Sequence, residues 1–256
     1  MKAISTAPFR LVERNVMTWR RHWWVIASGA FEPLFYLLGL GFGMGALVGA
    51  IEVGGTEIAY KNYVAPGLMA SAAMNGAVFD TTFNFFFKLK HERVYDAMLY
   101  TPITLANIVV GELGWSIFRG AIYAVFFLVA MAALGLTSSW WVLLTVPAAI
   151  LISAMFAAMG IASTTYIRTW TDFDFVQVAI LPMFLASATF FPLSTYPAWA
   201  RPIVQITPLY HGVDLLRDLS LGTVGWSDLG HIAYMVVVGV FSVKWASRRL
   251  GPRLLA

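Results

Sequence analysis

Apolar residues gather into six long runs separated by short polar stretches, at 24–47, 63–87, 105–134, 141–166, 175–191 and 229–245. A helix crosses the hydrocarbon of a bilayer with about 20 apolar residues. Each run reads as such a span, the third long and the fifth short. Ahead of the first run, Phe9, Val12, Val16, Trp19 and Trp23 recur every three or four residues, and Arg10, Arg14 and Arg21 fall on the opposite side. That spacing predicts an amphipathic helix within 1–22, lying in the headgroup plane with its arginines near anionic lipid. Such a helix is either a membrane anchor alone or also a contact for a partner. One segment, 190–222, reads as neither span nor loop, because Pro192, Pro197, Pro202 and Pro208 interrupt otherwise apolar sequence. Thr207 and Pro208 suit an N-cap and first helical residue, and Gly222 suits a stop, which predicts two short helices.

Composition makes lipid the solvent. Charged residues are 12% of the 256 and apolar residues 59%, against a usual charged share of about 25%. Thirty charges cannot build the polar shell a soluble domain of this length needs. The charges are also sorted. With the N-terminus inside, the inner segments hold thirteen Lys and Arg: Lys2, Arg10, Arg14, Arg20, Arg21, Lys88, Lys90, Arg93, Arg168, Lys244, Arg248, Arg249 and Arg253. The outer segments hold three, Lys61, Arg201 and Arg217. Positive loops stay in the cytoplasm, so both termini are expected there and the span number is even. Residues 190–222 then lie outside, either as a re-entrant hairpin covered by protein or water, or as a folded loop with Tyr196, Trp199 and Tyr210 at headgroup level.

The net charge of +4 comes without a dense basic run, which argues against nucleic acid. There is no cysteine, so disulfides, iron–sulfur clusters and thiolate zinc sites are excluded. The four histidines, His22, His91, His211 and His231, lack metal-ligand spacing. Arg20, Arg21 and His22 lead into a run too long for a signal-peptide core, which reads instead as an uncleaved first span.

Three groups of residues could carry chemistry. The inner loop 88–102 mixes charge with apolar side chains: Lys88, Lys90, Glu92, Arg93, Tyr95, Asp96, Met98 and Leu99, ended by Pro102. It reads as a short helix seated in a groove of a soluble partner, or as one lying against the membrane. Within the spans, Glu32, Asp80, Glu112 and Arg119 are ionisable. Burying each costs at least about 2.5–3.5 kcal/mol on insertion scales, so a paired network joining the first three spans is favoured over an ion relay. Phe79, Phe83, Phe86 and Phe87 share one side of the second span. Such stripes usually face lipid or core, and a minority line a passage for amphipathic molecules.

The order and spacing of several pieces resemble the membrane subunits of type-2 ABC exporters, in particular nodulation-type and lipooligosaccharide permeases, over almost the whole chain. They are the glycine-rich Leu38-Gly-Leu-Gly-Phe-Gly-Met-Gly45, Tyr63-Val-Ala-Pro-Gly-Leu-Met69, Tyr95-Asp-Ala-Met-Leu-Tyr-Thr-Pro102, Gly111-Glu-Leu-Gly-Trp115 with Arg119, Phe190-Phe-Pro-Leu-Ser194 and Pro208-Leu-Tyr-His-Gly-Val213. The resemblance implies a single permease domain, 1–256, in a bacterial inner membrane. It implies an all-α polytopic fold: six spans, an N-terminal interfacial helix touching an ATPase, a cytoplasmic coupling helix in 88–102, and an outer re-entrant cap carrying Phe190, Phe191, Pro192, Tyr196, Pro208 and Tyr210. It further implies a homodimer bound to two ATP-binding subunits that carry the ATP and Mg, and an amphipathic cargo, a glycolipid or, alternatively, a drug or antibiotic. The chain has no G-x-x-x-x-G-K-[ST] phosphate loop, so hydrolysis is expected from a separate chain.

Two other classes fit less well. An ion-coupled secondary transporter would place a site at paired broken helices near the midplane, yet the only proline well inside a span is Pro182. A membrane-embedded enzyme would need grouped catalytic side chains, and the acids and histidines are scattered.

Overall fold

A computed structural model describes residues 7–21, 31–53 and 55–254, with side chains to 250. Trp23 and positions 24–30 of the first apolar run lie outside the described residues. Helix α1, Ala7–Arg20, precedes α2, Phe31–Val48, whose Leu37–Met44 is π-helical. A small antiparallel hairpin follows, β1 (Ala50–Val53) pairing with β2 (Thr56–Ala59). Helix α3, Tyr60–Phe79, continues through a π-helical turn, Asp80–Asn84, into Phe85–Lys90, so the chain is helical over 60–90. Then come α4 (Val94–Leu99), α5 (Leu105–Ala133), α6 (Thr145–Thr164), α7 (Phe173–Leu185), α8 (Arg201–Ile206), α9 (Pro208–Leu221) and α10 (Trp226–Leu254).

The hairpin departs from the all-helical expectation. Ile51 and Val53 alternate with Glu52, Ile58 pairs with Ile51, and Gly55 takes φ +82 at the turn. Alternation closed by glycine is a hairpin signal, overlooked because the segment sits between two apolar runs. Other boundaries shift as well. The fifth run, expected over 175–191, is helical only over Phe173–Leu185, and the last helix extends beyond 229–245 to Trp226–Leu254.

Among the described residues, four helices are long and apolar enough to cross a bilayer: Phe31–Val48, Leu105–Ala133, Trp140–Thr164 and Trp226–Leu250. The helix over 60–90 is long enough but carries Lys61, Asn62, Asn75, Asp80 and Asn84. It can do so because most of α3 is buried by other helices, so protein rather than lipid surrounds it.

Close packing at the centre relies on small residues, as expected where helices associate without a hydrophobic driving force. A β-carbon at Gly120 on α5 would run into Ser153 of α6, and one at Gly160 on α6 would run into Thr81 of α3. Tyr63, Leu68, Met74, Phe127, Ile152, Phe156 and Leu216 form the main core. A second core at one end gathers Leu11, Phe85, Tyr95, Ile108, Ile161 and Leu250 from α1, α3, α4, α5, α6 and α10. Arg10, Arg14, Arg20, Lys88, Lys90, Lys244, Arg248 and Arg249 lie on helices that meet in this second core.

Gly120→Ala should lower stability by about 1–3 kcal/mol, the cost of overpacking, in thermal unfolding of the purified protein. Gly43→Ala, where a β-carbon meets nothing within 4 Å, serves as the matched control and should be neutral or stabilising.

Candidate functional site

Three of the four ionisable residues named in the spans, Asp80, Arg119 and Glu112, fall into two separate pairs. In the first, the π-helical turn of α3 aims Asp80 at α5, where Arg119 Nη1 lies 2.5 Å from Asp80 Oδ1. Asn84 Nδ2 donates to the same oxygen at 2.6 Å, and Arg119 Nε donates to Tyr123 Oη at 2.8 Å. The guanidinium also faces the Trp19 ring of α1 at 5.5 Å. Both charges are buried, so each depends on the other for its stability.

The second pair builds a polar knot at the basic end. Glu112 Oε2 accepts from Lys88 Nζ at 2.7 Å and from Asn15 Nδ2 at 3.3 Å, and Arg14 Nη2 is 3.8 Å from Oε1. Lys88 also donates to Asn15 Oδ1 at 3.2 Å. Residues from α1, α3 and α5 therefore converge on one carboxylate. Gly111 and Gly114 explain how α1 comes so close, since a β-carbon at Gly111 would strike Leu11 and one at Gly114 would press on Val12. Docking against α5 buries Leu11 and Asn15 and leaves Phe9, Val16 and Met17 exposed along the outer side of α1. Helix α1 is thus seated on protein by one face, while Phe9, Val16 and Met17 stay exposed together with Arg10, Glu13 and Arg20.

Helix α4 is fixed to this knot by Tyr95, whose ring is fully buried, 5.0 Å from Phe85. Burial, with the Glu112 carboxylate beside it, pushes the Tyr95 phenol well above its ordinary pKa. The sequence grouped eight residues of this loop as one docking surface, and the structure divides them. Lys88, Tyr95, Met98 and Leu99 turn inward, and Asp96 is half-buried, while Lys90, Glu92 and Arg93 are exposed. Tyr100, in the same loop, is 94% exposed. Arg93 adopts φ +48, the left-handed conformation that turns the chain sharply from the helix over 60–90 into α4.

Glu32 is in neither pair. It is exposed at the edge of a cavity of about 450 Å³ between α2, α3, α5 and α7, which Arg119, Asn75, Gln177 and Tyr36 also line. Phe79 and Phe83 border this cavity. Phe86 instead packs against Phe173 at 5.2 Å and Trp170 at 5.7 Å, and Phe87 stacks on His91 at 5.3 Å. The phenylalanine stripe is therefore shared between a cavity wall and an aromatic joint from α3 to the start of α7.

At the opposite end, Phe190 enters the main core, Phe191 is exposed, and Tyr196 Oη donates to the Leu185 carbonyl at 3.2 Å. Pro192 precedes a short 3-10 turn and Pro208 opens α9. Tyr210 Oη donates to Asp214 Oδ2 at 3.1 Å. Arg217, counted from sequence only as an outer charge, is the organiser. Buried on α9, it donates to the Ala188 carbonyl at 2.7 Å and sits 3.8 Å above the Tyr63 ring. Tyr63 Oη donates to that same carbonyl at 3.1 Å, and Ala188 itself takes φ +56. The Asp214/Arg217 spacing at i, i+3 within an apolar helix was the available signal.

A bundle of long apolar helices with buried charges paired inside and most of its basic residues gathered at one end is that of a multi-pass membrane protein. The ABC-2 type transporter family matches residues 8–221, and the chain belongs to that family as a permease. It is 32% identical over 243 residues to a nodulation protein J of Rhizobium leguminosarum bv. trifolii, covering 93% of this chain and 91% of that one. It is 31% identical over 247 residues to a nodulation protein J of Sinorhizobium fredii, covering 95% and 92%. A daunorubicin resistance ABC transporter permease protein of Streptomyces coeruleorubidus is 26% identical over 223 residues, covering 82% and 73%.

Removing one member of a buried pair leaves the other uncompensated, at a cost of about 3–5 kcal/mol. Arg119→Met should therefore lose most of the stable protein in a thermal melt after purification. Asp80→Leu combined with Arg119→Met should recover much of that loss, and a double variant as weak as the single one would show that the guanidinium does more than neutralise Asp80.

Proposed function

We propose that this permease is the membrane half of an ATP-driven exporter that moves an amphipathic cargo out of the cytoplasm or the inner leaflet. The observation that carries the reading is the Glu112 knot, where α4 is anchored from inside by Tyr95 while Glu92, Arg93 and Tyr100 stay free to meet a partner. A short helix rigidly fixed to α1, α3 and α5 and open on its other side can transmit a push from a soluble subunit to three helices at once. Family membership implies an ABC ATP-binding subunit as that partner. In this reading two such subunits, holding ATP and Mg, serve a dimer of this chain.

The six spans of the proposal are α2, α3 with its continuation to 90, α5, α6, α7 and α10, in a bacterial inner membrane with both termini cytoplasmic. Thirteen inner against three outer basic residues support this orientation. Residues 190–222 then cap the outer side as a re-entrant hairpin. Helix α7 exposes Phe175, Val178, Leu181 and Leu185, and α2 exposes Phe31, Phe35 and Leu38. These faces suit the second copy. The cavity bounded by Phe79, Phe83 and Arg119 would then open onto the dimer axis, with apolar walls for a lipid tail and polar groups for a head. Lipid-linked saccharide is the leading cargo, on the similarity to nodulation proteins; drug efflux is the second reading, on the similarity to the daunorubicin permease.

Uptake of fluorescent glycolipid into inverted vesicles holding this chain and its ATP-binding partner should require ATP. Transport driven by a proton gradient without nucleotide would overturn the proposal. Glu92→Ala with Tyr100→Ala should reduce stimulation of the partner's ATPase at least tenfold with an unchanged melting temperature, whereas Tyr95→Ala should lower that temperature. Since the chain has no native cysteine, Leu181→Cys should give an oxidative crosslink between two copies in membranes.

A further inference from the structure

His211 on α9 and His231 on α10 meet with their Nδ1 atoms 2.8 Å apart. Outer contacts hold both rings. His231 Nε2 is 3.4 Å from Asp214 Oδ2, and His211 stacks on Tyr234 at 3.8 Å and interacts with the backbone of Gln205. Tyr234 Oη in turn donates to the Ile206 carbonyl at the end of α8, at 2.7 Å. A hydrogen bond between two ring nitrogens needs one proton in the gap. Two protons, one on each nitrogen, would set like charges and two donors face to face. The permitted pair is therefore neutral or singly charged, and nothing in the mechanism above uses it.

We propose that the His211–His231 pair is a proton-dependent clasp that fastens the α8–α9 hairpin to α10 and releases when both imidazoles are protonated. The other charged groups around it are Asp214, Arg217 and Asp218 on α9 and Asp228 on α10, with the phenols of Tyr210 and Tyr234. Asp214 is shared with Arg217 and Tyr210, so it balances one imidazolium and not two. Burial and the facing His231 hold His211 below the ordinary imidazole pKa. A group depressed in this way supports the fastened state above its ordinary value, about 6.5, and that support is lost as pH falls. Acidification therefore opens the clasp and alkali does not.

That the hairpin faces outward rests on the six-span reading; the clasp itself does not. Spin labels at Ile203→Cys on α8 and Val237→Cys on α10, both exposed positions, would report the separation in the purified full chain without nucleotide or ATPase. Failure there would leave the exporter reading intact. The distance distribution should hold steady from pH 8.5 to 7.5 and gain a longer component below about pH 6.5. His211→Gln and His231→Gln should each abolish the response. Asp214→Asn, which keeps both histidines, should move the midpoint to lower pH, because the doubly protonated pair then loses the one counter-charge it has. A wild-type distance constant down to pH 5, a glutamine variant with the wild-type midpoint, or an unmoved midpoint in Asp214→Asn would overturn the clasp.

Discussion

The constraint on which the rest of the structure depends is that a charge placed among membrane helices has to find its counter-charge inside the protein. Arg119 and Asp80 meet this need across α3 and α5, and Lys88 and Glu112 meet it again nearer the basic end of the same two helices. Two pairs on one helix couple fix both the spacing and the relative rotation of α3 and α5. Apolar contacts alone would leave that rotation loosely specified, because a leucine face can slide and an ion pair with side-chain hydrogen bonds cannot. The π-helical turn at Asp80–Asn84 belongs to this arrangement, since it is the widened stretch of α3 that carries Asp80.

The two ends of the bundle are organised by different chemistry. At the basic end a carboxylate on α5 is the hub, and lysine, arginine and asparagine side chains from α1 and α3 point at it. At the other end an arginine is the hub, and its partners are a backbone carbonyl, an aromatic face and the Asp214 carboxylate on its own helix. The first arrangement ties three helices to one another and to α4. The second holds irregular chain against the bundle, and the histidine pair adds a fastening whose strength depends on solution conditions.

How much of this could be read in advance depended on whether the signal was periodic. The long apolar runs, the amphipathic N-terminal helix and the short helix before Pro102 were legible because helical spacing repeats. The proline segment was legible because Pro208 and Gly222 mark the limits of α9. The partner of Glu112 was not. Helical spacing puts Arg119 on the same face, but Lys88 and Asn15 approach from other elements, and no local pattern encodes a distance across the bundle. Tyr95 was assigned outward for a similar reason: on a helix of six residues, one face looks as apolar as the next until the neighbouring core is in place. Arg217 was hidden by its charge, which suggested water where the structure supplies a carbonyl, a ring and the Asp214 carboxylate.

Arg217 has a bearing on how the neighbouring helix can be so short. At 1.5 Å per residue, the 13 residues of α7 reach about 20 Å, whereas a bilayer's hydrocarbon is about 30 Å thick. Irregular backbone near lipid must have its amides and carbonyls satisfied by something other than a helix. Just past α7, the guanidinium and the Tyr63 hydroxyl both donate to the Ala188 carbonyl, and the Tyr196 hydroxyl donates to that of Leu185. Side chains borrowed from α3, α9 and the proline segment thus take the place of helical amides at these two carbonyls, where the polypeptide leaves α7.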